Sequence, residues 1–205
     1  MTVPILPELL TPAEAAAISG APVKAVYKLA RERLPRATVV RKSGKIFLTP
    51  VGALCVRLDR ELPKDVPAKV RRALYRMVDF HPVGPVEFGA GAFRYVLETA
   101  PAARAVAHEL AAYRRAMATV VEDPEVQGGT ATFRGTRILV HHVADLLSQG
   151  VPADELRSDY PNLTDAMLAA APVYARAHPK RGRPRTPAWR RTAPHAERRI
   201  TRQGA

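Results

Sequence analysis

The chain has 205 residues, with 32 Lys and Arg against 19 Asp and Glu and a formal net charge of +13. That length holds one large or two small domains around a real core, and the charge points to a polyanionic partner or one with an acidic cleft. A single cysteine, Cys55, excludes an intramolecular disulfide and a cysteine-rich zinc site. No apolar run approaches the ~18 residues of a membrane helix and no basic-then-apolar leader opens the chain, so no membrane partner and a cytoplasmic location are expected.

The charge is unevenly spread. Residues 1–60 hold ten basic and four acidic residues (+6), and residues 61–118 hold nine and six (+3). Residues 119–176 hold four and eight (−4), whereas 177–205 hold nine and one (+8). With the motifs below, this suggests four segments: 1–60, 61–118, 119–178 and 179–205.

From Leu10 to Ser19 the sequence predicts a short helix. Thr11 caps it, Pro12 takes the first position, Glu14 completes a capping box, and Gly20 ends it. A second helix is predicted from Pro22 to Leu34. Val23, Val26, Tyr27, Ala30 and Leu34 recur at core-facing spacing, while Lys24, Lys28 and Arg31 repeat at i, i+4, i+7 on a different face. Two short helices joined by a glycine turn, the second with a basic stripe, make a helix-turn-helix pattern. Ala37 to Val40 and Lys45 to Leu48 then flank Arg41-Lys42-Ser43-Gly44 as a basic hairpin, and Thr49-Pro50 opens a helix through Leu58. The order helix, helix, wing, helix resembles winged helix-turn-helix domains of the MerR and excisionase type. The DNA-binding set is Lys24, Tyr27, Lys28 and Arg31 toward a groove, with Arg41, Lys42 and Lys45 toward phosphates. The plainer alternative is a solvated helix face beside an ordinary hairpin.

Residues 64–79 read as a helix. Val86 to Phe88 and Phe93 to Leu97 flank Gly89-Ala90-Gly91 as a second hairpin, since no Gly-Lys-Ser/Thr follows to make a phosphate loop. Pro101 to Met117 is an Ala-rich helix with Val106, Leu110, Tyr113 and Met117 on one side. This segment, 61–118, is expected to be a connector or dimerisation element.

The third segment carries the most specific motifs: Pro124-Glu125-Val126-Gln127-Gly128-Gly129, then Arg134-Gly135-Thr136-Arg137, Leu146-Leu147, and Asp159-Tyr160-Pro161-Asn162-Leu163-Thr164. In this order they resemble the small helical family called domain of unknown function 433. Its members are similar to homeodomain-like helix-turn-helix units and commonly act as antitoxins to PIN-domain ribonucleases. The resemblance implies a VapB-type antitoxin, a homodimer, whose partners are a VapC-type PIN-domain toxin and operator DNA. The residues themselves predict a short hairpin of Ala131 to Phe133 with Arg137 to Leu139, a helix opened by Pro152, and another capped by Thr164. Pro172 predicts a kink or break near Ala169–Ala171. The negative charge favours a structural or dimerisation role here over groove reading. His141-His142 project about 100° apart on a helix, so no metal is expected.

Beyond His178 the chain is rich in Pro and Arg and too poor in apolar residues to fold alone. Arg181, Arg183, Arg185, Trp189 and Arg190 are the toxin-binding set, with arginines meeting the carboxylates of a nuclease site and Trp189 as apolar anchor. Two rivals stay open: an AT-hook at Arg181-Gly182-Arg183-Pro184 for A·T-rich minor grooves, and a solvated tail. The fold expected is mainly α with small β-hairpins, a winged helix-turn-helix plus a homeodomain-like three-helix domain. No nucleophile–base pair or nucleotide loop stands out, so neither enzymatic activity nor a cofactor is expected. The alternative function is a stand-alone transcriptional regulator or architectural protein.

Overall fold

In the computed structural model, described here for residues 9–80, 83–90 and 93–180, the chain is mostly helical with small antiparallel strand pairs. Capping chemistry places the first helix. In α1 (Pro12–Ser19) the Thr11 hydroxyl accepts from the Glu14 amide at 3.3 Å, and Glu14 Oε2 accepts from the Thr11 amide at 2.7 Å. Gly20 ends α1 in the left-handed region at φ 71°. Arg60 Nη1 donates to the Gly20 carbonyl at 2.8 Å, and a Cβ at Gly20 would lie 2.7 Å from that nitrogen. Gly20→Ala is therefore expected to cost about 1–2 kcal/mol, read as a lower urea midpoint, because it adds left-handed strain to a crowded turn. An unchanged midpoint would show that the turn relaxes freely.

α1 is buried almost all round, and Ala15 and Ala16 are small enough to admit neighbouring helices on several sides. α2 (Val23–Glu32) is different: it buries only Val26, Leu29 and Ala30. Val23 and Tyr27, predicted for the core stripe, are exposed. The buried stripe is rotated toward Leu29, which leaves Tyr27 about 100° from Val26, at the edge of the cationic face. A single 3₁₀ turn, Arg36–Thr38, leads into β1 (Val39–Lys42), which pairs with β2 (Lys45–Leu48). Ala37 thus belongs to the turn and not to the strand. Ser43 (φ 49°) and Gly44 (φ 73°) make the two-residue left-handed connection that a twisted hairpin requires. Leu10 exchanges two backbone hydrogen bonds of 2.8 Å with Leu48, tying the chain before α1 to the hairpin.

α3 (Pro50–Glu61) is capped by Thr49, whose hydroxyl accepts from the Gly52 amide at 3.2 Å. Cys55 is fully buried in it, as expected. Burial, with a contribution from Asp79, pushes its thiol up to about 12. The native protein at pH 8 should therefore react very slowly with a thiol-disulfide reagent, and fully once unfolded in guanidinium. Rapid native-state labelling would contradict that burial.

α4 (Ala68–Phe80) is joined to α3 by a polar cluster. Buried Arg71 donates from Nη1 to Asp59 Oδ1 at 2.8 Å and to the Asp59 carbonyl at 2.9 Å. It also donates from Nε to the Val66 carbonyl at 3.0 Å and from Nη2 to the Pro63 carbonyl. Tyr75 donates to the same Asp59 carboxylate. Burial, then Asp59, raise the Tyr75 phenol above its ordinary value. The α4 face also packs against the hairpin of β3 (Pro85–Ala90) and β4 (Phe93–Glu98), through Val86 and Phe88.

α5 (Ala100–Thr119) buries Val106, Leu110 and Tyr113, with Met117 half-buried. It runs into β5 (Val120–Val121), which pairs with β6 (Thr132–Phe133). The hairpin predicted between 131–133 and 137–139 is therefore reduced. β6 takes its ladder from β5, and only the Thr132–Leu139 bridge and the turn at Gly135 (φ 75°) join it to the second run. Then follow α6 (Val140–Ser148), α7 (Ala153–Asp159) and α8 (Asp165–Ala177), the last capped by the Thr164 hydroxyl. α8 continues through Pro172 without the predicted break. Pro172 is exposed, so its ring projects from the helix without displacing core side chains.

Apolar side chains gather in two clusters. One joins α1, α2, α3, α4, the β3–β4 hairpin and most of α5; the other joins the end of α5, β6, α6, α7 and α8. α8 bridges them: it packs on α5, α6 and α1, and its Ala177 lies in the first cluster.

Candidate nucleic-acid interface

The outer face of α2 and the β1–β2 hairpin carry a set of exposed cations. Lys24, Lys28 and Arg31 are exposed along α2, and Arg41, Lys42 and Lys45 are exposed on the hairpin. Among the described residues none of the six makes an ion pair with an acid. The Arg31 guanidinium lies 5.8 Å from the centroid of the Tyr27 ring, which steers Arg31 along the helix face without neutralising it.

Register separates the hairpin cations. Lys42 and Lys45 stand directly opposite each other, so they share one face, while Arg41 is paired with Ile46 on the other. Like charges directly across a ladder repel, a local cost that an anion bound there would remove. Arg36, exposed in the 3₁₀ turn between α2 and β1, adds a cation that the sequence pattern does not mark. No periodic run contains it. Arg60 was also missed. It fixes the turn between α1 and α2 from 40 residues away, a long-range contact with no local signature.

The last three helices present a different surface. α8 is enclosed by α5, α6 and α1, and its exposed positions Asp165, Ala166, Ala169, Pro172 and Arg176 include one cation. That cation, Arg176, is paired with Glu109 at 2.7 Å. His141 packs edge-on against the Tyr174 ring, and His142 Nε2 lies 3.1 Å from the Tyr160 hydroxyl. Burial, then Lys180, lower the His141 imidazole below its ordinary value. Among the described residues no group of three His, Cys, Asp or Glu is arranged to hold a metal. No helix there is long and apolar enough to cross a membrane.

The predicted toxin-binding residues Arg181, Arg183, Arg185, Trp189 and Arg190 lie outside the described residues. The segment leading to them is firmly attached. Tyr113 donates to Glu14 Oε1 at 2.9 Å and lies 3.2 Å from His178 Nε2, while His178 stacks on Tyr174 with centroids 4.5 Å apart. Lys180 pairs with Asp145 of α6. Glu14 thus serves both the cap of α1 and the last turn of the described chain.

The chain is 26% identical over 192 residues to an uncharacterized protein, y4eO, of Sinorhizobium fredii, covering 89% of this chain and 87% of that one. A crystal structure of Rv2018 from Mycobacterium tuberculosis aligns with 78% of this chain and 95% of its own, at 17% identity and a TM-score of 0.32. Residues 120–175, from β5 into the last turns of α8, match the family described as a protein of unknown function, DUF433, in the segment where the motif resemblance was read.

Proposed function

We propose that this chain is a DNA-binding antitoxin. In this reading residues 10–61 act as a winged helix-turn-helix, with α2 as the reading helix and the β1–β2 hairpin as the wing. The observation that carries it is the contrast between two helices. Among the described residues, α2 offers an open face whose Lys24, Lys28 and Arg31 pair with no acid, whereas α8 packs on three helices and its two exposed charges, Asp165 and Arg176, are each paired. A helix must be free on one side to enter a major groove, and phosphate contacts need uncompensated cations. The homeodomain-like helices α6 to α8 then serve as a scaffold that holds α1 in place.

The rest of the mechanism rests on chemistry and resemblance. Two copies would present two α2 helices to a pseudo-palindromic site upstream of the operon. Met77, Val83 and Val96, exposed on α4 and around the β3–β4 hairpin, are candidate contacts between those copies. The basic tail, with Arg181, Arg183, Arg185, Trp189 and Arg190, would occupy the carboxylate-lined site of a PIN-domain ribonuclease. The sequence Arg181-Gly182-Arg183-Pro184 favours a second reading, a stand-alone regulator whose tail grips A·T-rich DNA.

Selection of the full chain against random double-stranded DNA tests the reading. An inverted repeat should be enriched, with affinity falling steeply with salt. Enrichment of nothing, or of A·T-rich tracts without a repeat, would remove the winged-helix assignment.

A further inference from the structure

A groove of about 600 Å³ runs along residues 121–138 on the opposite side of β5 and β6 from their core. One wall is the chain after β5, with Val121 and Val126. The other is the turn after β6, with Arg134 and Arg137, and Asn162 from the α7–α8 connection reaches its edge.

Its two arginines are held differently. Arg134 is anchored: Nε donates to the Ala118 carbonyl at 3.3 Å and Nη2 to the Val120 carbonyl at 3.5 Å, at the end of α5. Arg137 is exposed and makes no hydrogen bond or ion pair among the described residues. Among the described residues neither makes an ion pair with an acid, and Asp123, the acid in the lining, accepts from the Glu125 amide at 3.0 Å through one oxygen and keeps its charge. Thr132 also borders the groove. It is fully buried, and its hydroxyl has no hydrogen-bond partner among the described residues, so it lies beneath the groove floor and does not offer a contact to a ligand.

We propose that this groove docks an extended segment of a partner protein that carries a carboxylate beside an apolar side chain. The carboxylate would pair with Arg137, with Asn162 at the rim, and the apolar side chain would rest on Val121, Val126 and Ile138. Nucleic acid fits less well. Residues 119–176 carry eight acids against four bases, a field that repels a polyphosphate backbone but tolerates one carboxylate held close to a guanidinium. This docking does not depend on the antitoxin reading, because it uses neither α2 nor the tail.

The test is a random heptapeptide library displayed on phage and panned against the full chain, with the full-length Arg137→Gln chain as counter-selection. Acidic peptides held by the basic tail bind both chains and drop out. Peptides pairing Asp or Glu with a neighbouring apolar residue should be enriched, and a synthetic copy should lose at least tenfold in affinity on Arg137→Gln. Arg137→Lys should recover part of that loss, and the melting temperature should not move. Failure to recover Arg137-dependent peptides, or recovery of peptides without an acid, overturns the proposal. So does a short single-stranded oligonucleotide whose affinity depends on Arg137 as strongly as any peptide's.

Discussion

Arg71→Met is expected to destabilise the protein by about 3 kcal/mol, lowering its melting temperature by roughly 10 °C in a chain of this size. Arg71 is 7% exposed and supplies four hydrogen bonds at once, three of them to carbonyls at the end of α3 and in the loop before α4. Removing the guanidinium takes a donor from each of those carbonyls, of which Pro63 keeps the Val66 amide, and leaves Asp59 without its closest cation; Arg33 lies 4.0 Å away. The Asp59 side chain is 21% exposed, so water softens the loss, which sets the figure at the lower end for a broken buried pair. The contrast is Arg57→Met, which removes an i, i+4 pair with the exposed Glu61 and should cost a few tenths of a kcal/mol. Thermal and urea unfolding of the two variants measure the difference. Equal effects would mean that the Asp59–Arg71–Tyr75 cluster does not hold α3 to α4.

The second large effect concerns DNA. Lys28→Glu with Arg31→Glu should weaken binding to the selected site by on the order of 100-fold or more, since each reading contact is worth about 1–3 kcal/mol. Both residues are exposed and neither pairs with an acid among the described residues. Folding should be untouched, and circular dichroism should be superimposable. Lys42→Ala with Lys45→Ala should behave differently. It should weaken all sequences evenly and reduce the salt slope by about 2, the signature of lost phosphate contacts. It should also relieve the cross-strand repulsion and leave the hairpin no less stable. If the α2 variant binds as well as the parent chain, α2 is not the reading helix.

How much of this could be read in advance depended on range. Local chemistry was legible: the Thr11–Glu14 capping box, the Ser43-Gly44 hairpin turn and the Thr49 and Thr164 caps each lie within four residues of what they satisfy. The rotation of α2 was not. Val23 and Tyr27 fit a core stripe by spacing alone, and only the packing of α1 shows that Leu29 takes the inward place. The β5–β6 pair has two residues per strand, too short for any alternation to show. Pro172 was read as kinking or breaking its helix, whereas α8 runs through it as one helix with Pro172 at an exposed position. In the candidate interface, Lys24, Lys28 and Arg31 were legible as a periodic stripe. Arg60 was not, because it acts on a backbone carbonyl 40 residues away.

The same limit explains the Glu14–Tyr113–His178 contact. It joins residues 65 and 99 positions apart, and no local pattern announces it. It matters because it links α1, which orients α2, to the chain that leads into the basic tail. A partner on that tail would thus act beside the element that holds the proposed reading helix.

The most direct measurement co-expresses the full chain, or a copy ending at Lys180, with the product of the adjacent gene. The account predicts that the full chain co-purifies with a small acidic ribonuclease and silences it, while the shortened copy does neither yet still binds the selected DNA. Equal capture by both copies, or no captured nuclease at all, would contradict the antitoxin account and leave a DNA-binding regulator in its place.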